Sequence, residues 1–453
     1  MQMFSAILVS GLLLINVTGV TYAQDTIRLS FQEAVKLAMK NNVDLRQEKN
    51  NLEISLANRK ESRAMYAPGV AGYSAFQRLN GQQFDQVTGT SFRDNTDNAN
   101  LNVGASYIVF DGFARLNSNK RTQALLESQR HVVTRTEQDI IYAVAQQYLQ
   151  VLLDQELLRI SEQNLEVQAT TLRQIEGFVE AGTRPLSDQL DQEATVSQIE
   201  VEMIRAQNAL RLDKARLKQT LLLDPSEQIE PVDPEWGFES VLVRNYDLEE
   251  LYQSAMNNRT DYKSALAEQE AADAAINIAR SNHYPELSLF GSAGTRYSSQ
   301  LKMEDNPEVS IPFSSQFEDN SIFSYGLELN IPIYSRYTVV AQKTRAKMAY
   351  ENAKLVEEDL RLLIYNEVQN AYLSFVASKD EYYAAMKQFE AAQAAYNIQK
   401  ERYEVGVGNL VELSRSTGTF VDAAGSRAQA QYTLLFQKVI LDYFTGVLNK
   451  EGI

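Results

Sequence analysis

The chain has 453 residues, of which 44% are hydrophobic, and a formal net charge of −16 at pH 7. It has no cysteine, which excludes disulfides, cysteine-based metal sites and a thiol nucleophile. The negative charge is spread along the chain and disfavours nucleic acid as a partner. Only 9 Pro and 20 Gly occur, a composition that favours long helices.

The N-terminal segment, residues 1–23, is predicted to be a cleaved secretory signal. An apolar core extends from Ile7 to Ile15, and the small-x-small triplet Thr21-Tyr22-Ala23 follows it. This core is too short for a membrane-spanning helix. No Lys or Arg precedes it, which leaves a cytosolic N-terminal helix as the alternative. No later stretch approaches 18 consecutive apolar residues, so an exported protein would be soluble, peripheral or inserted as a β-barrel.

The rest of the sequence contains two similar halves. The segment that begins at Phe31 resembles the one that begins at Leu248, and Pro68 corresponds to Pro285 at the same offset of 217 residues. In the helices that follow, the offset becomes 224, so the second half has gained seven residues. Such repetition predicts two units of one architecture: a helix, two strands and a long helical hairpin. We place the repeats at residues 24–223 and 248–453, joined by a proline-rich linker at residues 224–247.

Each repeat contains two extended stretches, and apolar residues alternate with polar ones along them. In the second half the apolar set is Phe323, Tyr325, Leu327, Leu329, Ile331 and Ile333. About ten residues of alternation is the length of a tilted strand that crosses a membrane. An ordinary half-buried strand in a soluble sheet has the same pattern and stays an alternative.

Four strands cannot close a barrel, so membrane-spanning strands here would need other chains to complete the sheet. The polar segments Asn80 to Asn98 and Ser298 to Asp319 separate the strands of each pair. We predict that both are long external loops, and that the second holds the seven extra residues.

A very long helix is predicted after the first strand pair. The sequence from Gly112 is free of Gly until Gly177 and free of Pro until Pro185. Within it apolar residues recur every seven positions, which indicates supercoiled packing in a ring of helices or in a soluble coiled coil. The seven-residue row consists of Val151, Leu158, Leu165, Leu172 and Val179.

The long helices are predicted to reverse at glycine-containing tips, Glu180-Ala-Gly182-Thr-Arg184-Pro185 and Glu404-Val-Gly406-Val-Gly408-Asn409. Pro68 and Pro285 follow helices, and Val109-Phe-Asp-Gly112 and Pro332-Ile-Tyr-Ser335 join strands to helices. With these motifs, in this order and twice over, the chain resembles the TolC-like outer-membrane efflux protein family.

The resemblance implies an α plus transmembrane β fold. Long coiled-coil helices would form a periplasmic α-barrel, and each chain would contribute four strands to a trimeric 12-stranded outer-membrane β-barrel. The implied function is an exit duct of a tripartite efflux or type I secretion system. Its partners would be two further copies in a homotrimer, a periplasmic adaptor (membrane fusion) protein, an inner-membrane transporter and outer-membrane lipid. The alternative is an exported soluble coiled-coil protein with a structural or adhesive role.

The resemblance also assigns residues to the inner end of the duct. The tips that would meet the adaptor contain Gly182, Thr183, Arg184, Gly406, Gly408 and Asn409. Residues expected at the periplasmic entrance and its gate are Asp188, Asp191, Glu412 and Arg415. Arg415 departs from the family pattern, in which a second acid is typical. Solvated helix surface is the alternative for all of them.

No catalytic, cofactor or metal site is predicted. His131 and His283 are the only histidines, and neither has another ligand at metal-binding spacing. No phosphate-binding loop or nucleophile elbow occurs. We therefore expect transport rather than enzymatic chemistry.

Overall fold

The computed structural model describes residues 27–84, 89–233, 238–303 and 306–449. The predicted signal at residues 1–23 lies outside these ranges, as do residues 234–237 of the predicted linker. The elements up to residue 221 are β1 (Ile27–Leu29), α1 (Phe31–Asn41), α2 (Val43–Ala64), β2 (Gly69–Phe84), β3 (Ser91–Phe110), α3 (Ala114–Glu180) and α4 (Leu186–Leu221).

The remaining elements follow in a similar order, and α6, α7, α9 and α10 correspond to α1, α2, α3 and α4. They are β4 (Ile229–Pro231), α5 (Phe238–Val243), α6 (Leu248–Asn258), α7 (Thr260–Ser281), β5 (Glu286–Ser298), β6 (Lys302–Met303), β7 (Asn306–Ser310), α8 (Phe313–Asp319), β8 (Ile322–Asn330), α9 (Thr338–Glu404) and α10 (Leu410–Phe444). Contacts divide the described residues into two compact units, one with residues 27–37 and 147–233, the other with residues 38–84, 89–146, 238–303 and 306–449.

The first unit contains the C-terminal part of α3, the helix α4 and a two-stranded parallel pairing of β1 with β4. Tyr148 of α3 is fully buried beside this pairing. Its hydroxyl lies 2.8 Å from the carbonyl oxygen of Leu29 and 2.6 Å from that of Val232. The ring of Phe31 packs edge-on against it at 5.6 Å. A single tyrosine thus ties both short strands to the helix.

The second unit contains a four-stranded antiparallel sheet with the order β2-β3-β5-β8. The central pairing of β3 with β5 joins strands from the two predicted repeats. On one face of the sheet, Leu287, Leu289 and Ala293 of β5 pair with Leu329, Leu327 and Phe323 of β8. Directly paired residues point to the same side, and those of β8 are well exposed. This side is called the apolar face below.

The opposite face of the sheet is more polar. Ser292 and Ser324 are cross-strand partners whose hydroxyl oxygens lie 2.8 Å apart. The ring of Phe290 covers Gly326, where an added Cβ would lie 2.8 Å from Phe290 Cζ. The alternation predicted from the sequence therefore separates two faces of different chemistry.

The prediction that Asn80 to Asn98 forms a loop is wrong. β2 continues to Phe84 and β3 starts at Ser91, with paired backbones throughout. Polar side chains are compatible with strands that are not buried, and Arg78 and Asp97 form a cross-strand ion pair at 2.6 Å. The segment Ser298 to Asp319 is not a simple loop either, because it contains β6, β7 and α8.

The predicted long helix is α3, which contains 67 residues and continues through Gly177 to Glu180, where the first tip was predicted. One glycine inside a helix costs only about 1 kcal/mol relative to alanine. The corresponding helix α9 also has 67 residues. Among the helices of the described ranges, none has an apolar stretch long enough to cross a membrane.

A buried ion-pair cluster fixes the helices of the second unit. Arg259, between α6 and α7, is only 1% exposed. Its guanidinium contacts the carboxylate of Asp261 at 2.5 Å and that of Glu367 on α9. Gly446 lies against its backbone, since an added Cβ would lie 2.7 Å from Arg259 N. The cluster connects the short helices to α9 and to the end of α10.

Candidate functional site: the two helix-hairpin tips

The first tip, in the first unit, ends α3 with a Schellman turn. Gly182 has a φ of 71°, a left-handed conformation that favours glycine. Its N–H donates to the carbonyl of Val179 at 2.9 Å, and the N–H of Thr183 donates to that of Phe178 at 2.9 Å. The Thr183 hydroxyl donates to the same Phe178 carbonyl at 2.9 Å. The chain then reaches Pro185, at the N-cap position of α4.

The predicted entrance acids of the first repeat lie in the first two turns of α4. Asp188 accepts from Arg184 Nη1 at 3.3 Å, and the Arg184 guanidinium also lies 5.9 Å from the Phe178 ring centroid. A carboxylate in the first turn is favoured by the helix dipole. Asp191 is one turn further on and exposed. The structure thus brings Thr183, Arg184 and Asp188 together with Phe178, which the sequence analysis did not single out.

The second tip, in the second unit, repeats this turn. Gly406 has a φ of 77°, its N–H donates to the carbonyl of Tyr403 at 3.1 Å, and that of Val407 donates to the carbonyl of Arg402 at 2.9 Å. Gly408 donates to the same Arg402 carbonyl at 2.9 Å. It passes so close to the helix end that an added Cβ would lie 3.0 Å from Tyr403 N.

The returning helix α10 is capped by Asn409, whose side-chain oxygen accepts from the N–H of Glu412 at 2.7 Å. The Glu412 carboxylate lies 3.8 Å from Arg402 Nη1, so an ion pair links the two helices of the tip. Both side chains are about half exposed, and such a pair contributes at most about 1 kcal/mol. Arg415 is exposed one turn beyond.

The predicted residues occupy corresponding places in the two tips. At an offset of 224 residues, Gly182 corresponds to Gly406, Asp188 to Glu412, and Asp191 to Arg415. The third residue of α4 and the third residue of α10 are therefore both acidic, whereas the sixth residue is acidic in α4 and basic in α10. These carboxylates are presented to water rather than gathered in a binding pocket. Within the described ranges, no group of three or more His, Cys, Asp or Glu could hold a metal ion.

A buried polar layer between α3 and α4 was missed by the sequence analysis. Gln192 donates to the Gln168 side-chain oxygen at 2.8 Å, and both residues are buried. Nearer the other end of α4, burial raises the pKa of the Asp154 carboxyl to about 6, and the hydrogen bond that it shares with Asp213 acts in the same direction. Asp154 and Gln168 lie 14 residues apart, in a seven-residue row next to the apolar row that begins at Val151. Polar residues at this regular spacing were the sequence signal for the buried layer.

Long helical hairpins with exposed tips, and a four-stranded sheet whose apolar face is exposed, are typical of the class of outer-membrane channel subunits. The model of the family described as "Outer membrane efflux protein" matches residues 34–221 and 251–447. Because these segments make up most of the sequence, the chain belongs to this family.

Named relatives agree with this assignment. The chain is 25% identical to protein CyaE of Bordetella pertussis over 402 residues, 87% of this chain and 79% of that protein. It is 22% identical to the outer membrane efflux protein BepC of Brucella suis over 453 residues, 99% of this chain and 91% of that protein. The match to TolC of Salmonella enteritidis, 24% identical over 205 residues, covers 45% of this chain and 40% of that protein.

Solved structures have the same fold. CusC superposes with a TM-score of 0.75 at 15% identity, covering 92% of each chain. The outer membrane protein VceC from Vibrio cholerae gives a TM-score of 0.74 at 15% identity, covering 92% of this chain and 96% of that one. The predicted fold class, the outer-membrane location and the role in efflux are confirmed. The family consists of channel and transport proteins.

Proposed function

We propose that three copies of this chain assemble into the outer-membrane duct of a tripartite efflux or type I secretion system. The observation that carries the proposal is the sheet, whose apolar face is exposed and whose outer strands, β2 and β8, have no further strand partner in the described ranges. Unpaired strand edges are not tolerated in lipid. Three four-stranded sheets supply twelve strands, enough for a closed barrel.

In this assembly the two repeats act as equivalent building blocks. Residues 24–223 and 248–453 would alternate around the duct, with residues 224–247 as the linker. The central β3–β5 pairing supports this arrangement, because it already joins one repeat to the other within a single chain. The β8–β2 contact between copies would repeat that junction.

The hairpin tips are proposed to contact a periplasmic adaptor, and through it an inner-membrane transporter. Apolar side chains surround both tips and are strongly exposed. Val405, Val407 and Val411 are 73%, 68% and 77% exposed, and Leu186 and Leu190 are 58% and 54% exposed. At each tip, exposed aliphatic side chains beside a rigid glycine turn suit a partner protein. The tip residues Gly182, Thr183, Arg184, Gly406, Gly408 and Asn409 would shape this contact.

The entrance is proposed to favour cations through Asp188, Asp191 and Glu412. Arg415 replaces the second acid in one repeat and weakens the field there. Asp191→Ala is expected to lower the cation preference of single-channel currents in a planar bilayer. Glu200→Ala is the matched control, since it removes an exposed carboxylate about 13 Å further along α4. Equal currents for both variants would refute the entrance role.

Disulfide cross-linking tests the assembly directly, since the chain has no cysteine of its own. Tyr73→Cys on β2 is combined in turn with Ser324→Cys, Gly326→Cys or Glu328→Cys on β8, all on the polar face. Oxidation of outer-membrane fractions is expected to give a three-chain product for one β8 position. Products limited to two chains, or release of the protein from membranes without detergent, would contradict the proposal.

A further inference from the structure

The segment in which the seven extra residues of the second repeat are predicted to lie contains β6, β7 and the short helix α8. Along β5, Leu289, Ala293, Thr295 and Tyr297 are separated by even intervals within one continuous strand. Their side chains therefore point to the same side. That side is the apolar face, because Leu289 and Ala293 pair with Leu327 and Phe323.

Helix α8 packs onto the end of this row. The Phe313 ring lies 5.1 Å from that of Tyr297, and the Phe317 ring stacks on Phe313 at 5.2 Å. The Thr295 hydroxyl donates to the carbonyl of Phe317 at 2.8 Å. The helix is thus on the outside of the proposed barrel wall, not over its polar face.

The position of α8 is fixed by a buried amide. Gln316 is 2% exposed. Its side-chain oxygen accepts from the N–H of Ser298 at 2.9 Å, and its side-chain nitrogen donates to the carbonyls of Ser298 at 2.9 Å and Ile311 at 2.8 Å. Asn320 adds a bond to the carbonyl of Arg296 at 2.9 Å. These bonds hold two aromatic rings at one height, and Phe313 remains 53% exposed.

The height matches the edge of a membrane. From Leu287 to Tyr297, ten residues of strand at a tilt of about 40° rise roughly 25 Å, which is the height of the apolar band of outer-membrane barrels. Aromatic residues gather at both borders of such a band. At the other border, Tyr334 and Tyr337 are 83% and 70% exposed beyond the end of β8.

We infer that α8 is an interfacial anchor, which places Phe313 and Phe317 in the lipid of the outer leaflet at the boundary between headgroups and acyl chains. The inference rests on the proposed function, in that the apolar face must be the membrane wall. Lipid is the occupant favoured by the observations, because the aromatic cluster lies on the same side of β5 as the exposed apolar face. Burial of Phe313 by the next copy of the chain would be the competing outcome.

Tryptophan fluorescence in proteoliposomes tests the anchor. Trp236 is the only tryptophan, so Trp236→Phe provides a silent background. Phe313→Trp and Phe317→Trp are reconstituted in phosphatidylcholine whose acyl chains carry bromine either near the headgroup (shallow) or near the bilayer centre (deep). Both are expected to emit at shorter wavelength than in water and to lose more intensity to shallow bromine than to deep bromine. Two variants are used so that one folding failure does not end the test.

Two control positions separate the possible outcomes. Arg296→Trp lies at the same height on the polar face and is expected to escape quenching. Phe323→Trp lies on the apolar face about 10 Å deeper and is expected to respond more to deep bromine. The anchor is refuted if Phe313→Trp and Phe317→Trp escape quenching as Arg296→Trp does. If Phe323→Trp is quenched in the same experiment, the proposal that the apolar face is the membrane wall still holds. If Phe323→Trp also escapes quenching, the proposed membrane wall fails as well.

Discussion

Replacing Asp154 by asparagine is expected to stabilise the protein at neutral pH. Asp154 is 5% exposed, and its Oδ1 accepts from Gln150 Nε2 at 3.1 Å. Its Oδ2 is buried and receives no hydrogen bond from the described residues, while Asp213 opposite is held by Arg216 at 2.6 Å. Only a proton on Asp154 gives this oxygen a partner. An asparagine amide would donate to Asp213 without any proton uptake and leave Gln150 its acceptor.

The magnitude follows from the pKa difference. The pKa of Asp154 is about 6 in the folded chain against an ordinary value of 3.8. Between these values the folded state binds a proton that the unfolded state has released, so the free energy of unfolding falls as pH rises. At 1.36 kcal/mol per pKa unit the loss is about 3 kcal/mol, complete above about pH 6. Asp154→Asn should restore this lost free energy of unfolding at about pH 8, and it should change the free energy of unfolding little at about pH 4.

Thermal unfolding in detergent, followed by far-ultraviolet circular dichroism, measures this difference at both pH values. The unmodified chain is expected to lose several degrees in Tm between about pH 4 and about pH 8, relative to Asp154→Asn. Asp191→Asn, an exposed carboxylate on α4, is the control and should leave the pH dependence unchanged. A Tm difference between Asp154→Asn and the unmodified chain that does not grow with pH would refute the reasoning.

Four further substitutions test three other features in the same unfolding assay. Gly406→Ala should lower the free energy of unfolding by about 1–2 kcal/mol, because Gly406 has a positive φ. Gly418→Ala lies in the interior of α10 with open space around it and should raise that free energy by about 0.5–1 kcal/mol. Equal effects of the two substitutions would contradict the turn at Gly406. Tyr148→Phe removes a buried hydroxyl from two carbonyls and should cost about 1–3 kcal/mol, and a neutral result would argue against that contact. Glu367→Gln leaves the buried Arg259 with one carboxylate and should cost about 2 kcal/mol, which an unchanged Tm would disprove.

The sequence predicts the long elements well, because residues that a regular helix excludes mark where each helix can extend and where it ends. A segment free of proline permits α3, and a glycine that can adopt positive φ ends it at the first tip. Gly177 lies inside α3, since one glycine does not stop a helix that is stabilised by packing. The alternation in β8 separates its two faces because strand side chains alternate strictly.

Polar composition was a poorer guide. Asn80 to Asn98 was predicted to be a loop, but the backbones of two strands can pair without apolar side chains. The site was predicted in part. Equal offsets place Asp188 and Glu412 at corresponding positions, yet Arg402 pairs with Glu412 only after the chain has reversed. Asp154 and Asp213 meet because of the register between α3 and α4, which no local pattern encodes.

The side chains of Gln316 and Asn320 also affect the chain before it reaches its partners. β5 extends beyond Gly294, the last residue that β8 covers, and its backbone groups there would otherwise stay open. The two amides occupy those groups at Arg296 and Ser298. Open strand edges capture segments of other chains and start aggregation. In an unassembled copy the backbone of β5 is therefore protected, and the outer strands β2 and β8 of the four-stranded sheet stay available for pairing with a neighbouring copy.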